Sequence, residues 1–445
     1  MAIRRTLAEF SDDIATADIA DDAITGGKLA NDIAISTTGN IATTGSGTLA
    51  VAGASTLTGN VTAAGTLAVT GNATASGNLT VTGDIVPSTP LSHRHMIING
   101  AMQVAQRATS VAGMDHGNDG YRTCDRFAIY MYDTLASMVL TNSQNSITDN
   151  EGFRKTYKIL ITTAETSIGA DSGMFIEYEI EAQDLTHLWY GNASAKTTTL
   201  SFYVRSNETG NFALELYSED GDRCIGTTYT VSNTNWQRVT WTIPGDASGT
   251  INNDTGSGLK IRWHLTAGSN FSSADNTSWA ASSTTNDAYG QTAVLTDAAS
   301  NYWEITGVQF EVGSNATPFE HRPYTEEFFR CCRYYDRIAN NYYGEQIVCW
   351  AVGSNIWYGL CKTKNAMRAT PTVIWAGSGN WSTHKDQGSG VNPYTQVAPT
   401  IAQWNKDFYH VTLNSGANFT GLTDGGGPYL ATFGSARILS LDAEL

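Results

Sequence analysis

Three carboxylates at spacing two, Glu177, Glu179 and Glu181, are the first residues whose arrangement could do chemistry. In a strand they share one face. Two carboxylates flanking a sugar can hydrolyse a glycosidic bond, but the second must come from across a cleft. A row of acids on a solvated strand face has the same spacing, and that is the reading adopted. His93 and His95, in Ser92-His-Arg-His-Met96, also stand two apart. Turned inward by three parallel chains, they would offer an octahedral set suited to a first-row transition metal. A solvated junction is the alternative, and no metal is assigned there. The cysteines Cys124, Cys224, Cys331, Cys332, Cys349 and Cys361 include no Cys-x-x-Cys pair, so they read as buried free thiols rather than zinc ligands. No Gly-x-Ser-x-Gly elbow and no His-Glu-x-x-His helix occur. The Gly-rich segments at 377–390 and 425–427 lack the Lys-Ser/Thr of a phosphate loop. No catalytic residue, no enzymatic activity and no cofactor are expected.

Aromatic rings supply the other candidates. Trp236, Trp241, Trp263 and Trp303 sit in strand-like runs and read as core. Trp279, Trp381, Tyr394, Trp404 and Tyr429 lie in or beside polar, Gly-rich loops. An exposed ring offers an apolar face to sugar C–H bonds, and Asp386, Asn392 and Asp424 could accept hydrogen bonds from hydroxyls. Trp381, Asp386, Asn392, Tyr394, Trp404, Asp424 and Tyr429 therefore form the candidate glycan-binding set. Loop anchoring by aromatic packing is the alternative for each.

The elements that must position these groups are strands. Gly numbers 43 in 445 residues, Thr, Ser and Asn are abundant, and charged residues make up only 15%. Thr and aromatics suit a pleated surface, while Gly, Asn and Ser supply turns. The formal net charge of −16, with basic residues clustered only at Arg4-Arg5 and from Arg330 to Arg337, excludes the basic face that nucleic acid needs. Met1 to Phe10 is followed by no apolar run, and no stretch of about 18 apolar residues occurs, so neither a secretory signal nor a membrane span is expected.

Glycine recurs at 47, 53, 59, 65, 71, 77 and 83, a period of six. Leu49, Val51, Leu57, Val61, Leu67, Val69, Leu79 and Val81 share the glycines' parity. One such chain offers a single narrow apolar stripe, too small to offset the entropy of ordering it. Three chains wound on one axis would bury it, so the spacing predicts a parallel trimeric shaft. Beyond Pro87 and Pro90, short alternating runs follow at 126–131, 157–161, 174–180, 199–204, 212–217, 237–243, 259–265 and 303–312. These predict an antiparallel sandwich of jelly-roll type. Thr325, then Glu326 and Glu327, with Arg330 and Arg333 beyond, predict a short helix. The expected fold is all-β: a fibrous trimeric β-shaft, a jelly-roll-like β-sandwich and a second distal β-sandwich, with one short connecting helix. The expected domains are an attachment segment 1–38, the shaft 39–90, the carbohydrate-binding-module-like sandwich 91–324, a linker helix 325–335 and a distal tip 336–445.

The phrases His95-Met-Ile-Ile-Asn-Gly-Ala-Met-Gln-Val-Ala-Gln-Arg107 and Gly120-Tyr-Arg-Thr-Cys-Asp-Arg-Phe127 resemble the opening of the globular region in tail-fibre proteins of tailed bacteriophages. So does Gly307-Val-Gln-Phe-Glu-Val-Gly-Ser-Asn-Ala-Thr-Pro-Phe-Glu-His-Arg322, leading into Cys332-Arg-Tyr-Tyr335. Met367 to Thr372 and Ala443-Glu-Leu445 fit the same pattern, so the resemblance spans 95–445. It implies a homotrimeric adhesin of the virion, assembled in the host cytoplasm and released by lysis. Its N-terminus would sit on other phage tail proteins, and its distal domains would bind a bacterial surface glycan or outer-membrane protein. A tailspike-type depolymerase is the alternative. The family supplies no catalytic motif. Its phrases read as folding elements, with Asn99-Gly100 as a turn and Asp125-Arg126 as a buried pair.

Overall fold

The computed structural model describes residues 94–340 except 133, 134, 136 and 151, then 346–351, 357–376, 381–385, 392–394, 400–405, 410–414, 429–433 and 438–445, and scattered positions between 54 and 81. The chain divides into two compact units, Met1–Asp84 and Ile85–Leu445. In the first, Val61, Leu67, Val69 and Val81 are exposed in the single chain. The rest of the expected shaft and the segment 1–38 lie outside the described residues, as does His93.

The second unit is built from antiparallel sheets. Its first strands are β1 (Ser110–Met114), β2 (Gly120–Tyr121), β3 (Phe127–Tyr132), β4 (Val139–Ser146), β5 (Lys155–Thr163), β6 (Gly173–Glu181) and β7 (Thr198–Ser206). Then come β8 (Gly210–Ser218), β9 (Arg223–Val231), β10 (Gln237–Ile243), β11 (Ser257–Ala267), β12 (Ala280–Ala281) and β13 (Tyr302–Val312). Among the described residues they form two sheets, β1-β4-β5-β13-β7-β10 and β12-β9-β8-β11-β6-β3-β2. All eight expected runs are found, with ends shifted by at most two residues. The edge strand β1, its neighbour β4, strand β9 and the two-residue strands β2 and β12 were not expected. In β4 only Val139 and Leu140 are apolar, and Gly226 interrupts the alternation of β9.

Alternation sends one parity of each strand into a single core shared by the two sheets. Phe127 meets Tyr157 across it at 6.1 Å, and Phe202 meets Trp263 edge-on at 5.8 Å. Trp263 and Trp303 are fully buried, and Trp241 packs half-buried against the same core, as expected. Trp236 does not belong to it. Its indole N–H donates to Asp149 and its ring carries the Arg205 guanidinium at 4.6 Å, because it immediately precedes β10 on the parity opposite to Val239 and Trp241, which pack on the core. Cys124, Cys224, Cys331 and Cys332 are buried free thiols.

Two of the family-like phrases meet in this fold. Asn99 takes a left-handed turn (φ 62°) closed by the Met102 amide on its carbonyl. The next residue, Gly100, lies against the bulge of β13, where a Cβ would come within 2.1 Å of the Val308 carbonyl oxygen. Gly307, at that bulge, has φ +63°, and a Cβ there would lie 2.6 Å from Phe153 Cζ and 2.9 Å from Tyr203 Cδ2. Gly307→Ala combines backbone strain with overpacking, so a loss of about 2–4 kcal/mol is expected in urea-unfolding midpoints. A midpoint like that of the wild type would show that the bulge relaxes freely.

Asp125 and Arg126 are both buried but do not pair with each other. Asp125 accepts from the Gln106 backbone and side-chain amides at 2.8 and 2.6 Å, while Arg126 turns to Glu444 and to the Glu179 carbonyl. A positive φ of 74° at Arg126 sends the two side chains apart. His95 is buried in the sandwich, edge-on to Phe319 at 5.3 Å, so it belongs neither to a solvated junction nor to an inward ring of ligands.

Helix α1 (Tyr324–Cys331) follows, one residue earlier than expected. Pro323 is the cap and makes no side-chain bond, so Thr325 lies inside the helix. The acids in the first turn and the Glu326–Arg330 pair at 2.8 Å are as anticipated. Strands β14 (Tyr335–Asn340), β15 (Gln346–Ala351), β16 (Trp357–Lys362), β17 (Thr372–Ala376) and β18 (Trp381–Lys385) come next. The last are β19 (Asn392–Tyr394), β20 (Thr400–Asn405), β21 (His410–Asn414), β22 (Tyr429–Phe433) and β23 (Ile438–Asp442). Among the described residues they form a three-stranded sheet β14-β23-β17 and a seven-stranded sheet β19-β18-β22-β15-β16-β21-β20.

Candidate ligand-binding face

The outer parity of the first seven-stranded sheet carries a polar and aromatic face. Register builds it in cross-strand rows. Glu177, Arg262 and Glu215 stand opposite one another on β6, β11 and β8. Glu179, Lys260 and Tyr217 form the next row, and Tyr130, Phe175 and His264 the row on the other side. The three-glutamate spacing on β6 is real, but the face is not the solvated one expected. Glu177, Glu179 and Glu181 are 4%, 4% and 1% exposed. Cations from distant segments cover them: Arg262 lies 2.7 Å from Glu177 and 3.1 Å from Glu215, Lys260 lies 3.7 Å from Glu179, and Arg333 and Tyr334 engage Glu181.

Burial works against the Arg262 charge, yet Glu215 and Glu177 hold its pKa above the ordinary arginine value. Glu179 is pushed up by burial and then by Glu177. The rings surround this floor. Tyr130 and Tyr132 flank Phe175 at 5.5 and 5.3 Å, and the Arg262 guanidinium lies 5.4 Å from the Phe175 ring and 4.8 Å from that of Tyr217. The segment 269–288 crosses one end. Phe271 stacks on Tyr132, Asn276 sits on Gly226, and Asn286 accepts from the Cys224 thiol. Gly226 leaves the room that Asn276 needs, because a Cβ would lie 2.2 Å from its amide nitrogen. The same segment brings Asp287 over the floor, where burial and then the Glu215 charge push its carboxyl up to about 6.

This face offers apolar platforms beside fixed donors and acceptors, which suits a polyhydroxylated ligand. Among the described residues no group of three or more His, Cys, Asp or Glu is arranged to hold a metal ion. Sequence reasoning missed Tyr130, Tyr132, Phe175, Glu215, Tyr217, Arg262, His264 and Asp287. The signal was present in the second parity of the expected runs at 174–180, 212–217 and 259–265, which is rich in charge and rings.

The seven residues of the candidate glycan set fall elsewhere. Trp381, Asn392, Tyr394 and Tyr429 lie at the ends of strands of the second seven-stranded sheet. Trp381 stands opposite Tyr394, and Tyr429 opposite Lys385. Trp404 is on β20, at the edge of that sheet opposite to β19. Asp386 and Asp424 lie outside the described residues. Trp279 is an anchor: it is half-buried, its indole donates to the Pro244 carbonyl at 2.7 Å, and its ring meets Tyr190 edge-on.

No family model matches the chain, and no curated protein matches it. Among solved structures it is similar to the enzymatically active domain of bacteriophage CBA120 tailspike protein 4, at 8% identity and a TM-score of 0.26, over 49% of this chain and 21% of that one. The chain thus spans about a fifth of the length of that solved chain. It is also similar to the family 11 carbohydrate-binding module of cellulase Lic26A-Cel5E from Clostridium thermocellum (13% identity, TM-score 0.23, 45% of this chain and 95% of that one). A cyclase from Fischerella sp. gives 10% identity and a TM-score of 0.28, over 50% and 99% of the two chains. Likenesses this distant support no functional conclusion, so the all-β sandwich rests on the sheets described above.

Proposed function

We propose that this chain is a tail-fibre adhesin of a tailed bacteriophage, a homotrimer that attaches the virion to a host-surface glycan without cleaving it. The carrying observation is the outer face of the first seven-stranded sheet, where Tyr130, Tyr132 and Tyr217 surround the ion-paired floor of Glu177, Arg262, Glu215 and Lys260. Cross-strand pairing already orders that floor, so a sugar would bind with little further loss of side-chain freedom. The family-like phrases over 95–445 and the apolar parity of the hexad repeat favour a fibre as the carrier. Attachment to the tail through 1–38 belongs to the same reading.

Tyr132 and Tyr217 sit on the rim, so Tyr132→Ala with Tyr217→Ala should leave the fold intact and weaken host adsorption by about tenfold or more. Normal adsorption by that variant, and its loss in a fibre carrying Trp381→Ala and Tyr394→Ala, would move the binding surface to the tip sheet. A depolymerase would release reducing ends from host polysaccharide; the adhesin reading expects none.

A further inference from the structure

The first seven-stranded sheet holds more negative charge than its cations answer. Glu177, Glu179, Glu215, Glu219 and Asp287 share Lys260 and Arg262. Arg262 bridges Glu177 and Glu215, and Lys260 bridges Glu179 and Glu219 at 3.7 and 2.7 Å. Asp287 is left without a cation of its own. It lies close enough to Glu215, His264 and Arg262 for each charge to act on it, and it acts in turn on Tyr132 and Cys224.

A second observation points to a missing partner at this spot. Glu215 is fully buried: its Oε2 accepts from Arg262, and the only other hydrogen bond to its carboxylate among the described residues comes from the weak Cys224 thiol, which also donates to Asn286. His264 is 4% exposed, and its Nε2 has no hydrogen-bond partner among the described residues, standing 3.8 Å from Glu215 Oε2. Both side chains project from the outer parity of adjacent strands, under the segment that carries Asp287. Glu215 Oε1 and the Asp287 carboxylate are acceptors, and so is His264 Nε2 when the ring proton is on Nδ1. An ammonium group has three N–H donors and the opposite charge. A uronate or sulfate would meet like charge here, and a neutral hydroxyl would leave the excess uncompensated.

We propose that this face selects a glycan bearing a free primary amine, whose ammonium is held between Asp287 and Glu215 with His264 beside them. The proposal rests on the reading of this face as the glycan site and adds the chemical class of its ligand. Asp287 is the partly exposed member, so the amine reaches the site from its side. A buried water touching the same three groups is the competing occupant, and it would give no preference for an amine.

The test uses the full chain and three methyl glucosides that differ only at C6: the amine, the alcohol and the carboxylate. Affinities at pH 7.5 are measured by ligand-observed NMR up to tens of millimolar. The amine is expected to bind about tenfold tighter than the alcohol, and the carboxylate weakest of the three. Asp287→Asn should bring the amine-to-alcohol ratio close to one, while Asp275→Asn, on the exposed part of the same segment, should leave it unchanged. Lowering the pH to 5 should also shrink the ratio, because Asp287 takes up a proton near 6 while an alkyl ammonium stays charged. Equal affinity for amine and alcohol, or a preference for the carboxylate, overturns the amine assignment and leaves the face as a glycan site. A wild type that binds none of the three overturns both.

Discussion

Glu444→Ala is expected to cost about 3–5 kcal/mol of folding stability, the loss typical when a buried charge is stripped of its partner. The charge in question is Arg126, 1% exposed at the start of β3. Its guanidinium is sandwiched near the Tyr334 and Tyr178 rings at 3.5 and 5.4 Å, and it donates to the Glu179 carbonyl at 2.6 Å. Its carboxylate partner is Glu444, which also takes Arg107 at 3.3 Å. Arg107 in turn stacks on Tyr335 at 3.7 Å and pairs with Asp442 at 2.9 Å. Strand β23, held between β14 and β17, carries Glu444 to this point, and Arg368 fixes the segment by donating to the Ala443 and Glu444 carbonyls. With Glu444 gone, Arg126 can neither reach water nor lose its proton. Glu444→Gln keeps an acceptor and should lose less than Glu444→Ala. Chemical unfolding measures both. A Glu444→Ala protein within 0.5 kcal/mol of the wild type would mean that Arg126 finds water in the folded state.

Periodicity made the strands legible, and it could not do the same for their neighbours. The run at 174–180 announced β6, yet nothing local says that β11 lies beside it, 85 residues from Glu177 to Arg262. That pairing decides whether the glutamates are solvated or buried. The spacing of Glu177, Glu179 and Glu181 therefore gave the face correctly and its environment wrongly. Trp236 failed for a related reason: it precedes β10 on the parity opposite to Val239 and Trp241, and the run alone did not say which parity faces the core. Asp287 was invisible because its position comes from a short turn, capped by Ser283 and Asn286, that folds back across a sheet formed by distant strands. One glycine phrase was the opposite case. Asn99-Gly100 was read as a turn from residue type and Asn99 does take a left-handed turn, while the need for glycine at 307 came only with the bulge of β13.

The other large effect is expected in the period-six segment. Leu67 is 73% exposed in the single chain, and Val61, Val69 and Val81 of the same parity are exposed with it. Burying one such side chain contributes about 1.5–3 kcal/mol per chain, and the stripe repeats it every few residues. If three copies bring these residues together on an axis, as proposed, Leu67→Asp sets three carboxylates against one another in a place without water. Light scattering should then report single chains, or trimers that dissociate at micromolar concentration, where the wild type stays at three. The opposite parity supplies the control. Thr70 is exposed too and has the opposite parity, so in the proposed arrangement it would face away from the axis and Thr70→Asp should still weigh three chains. A Leu67→Asp fibre that remains a trimer, or a Thr70→Asp fibre that dissociates as readily, would leave the period-six parity without a role in assembly.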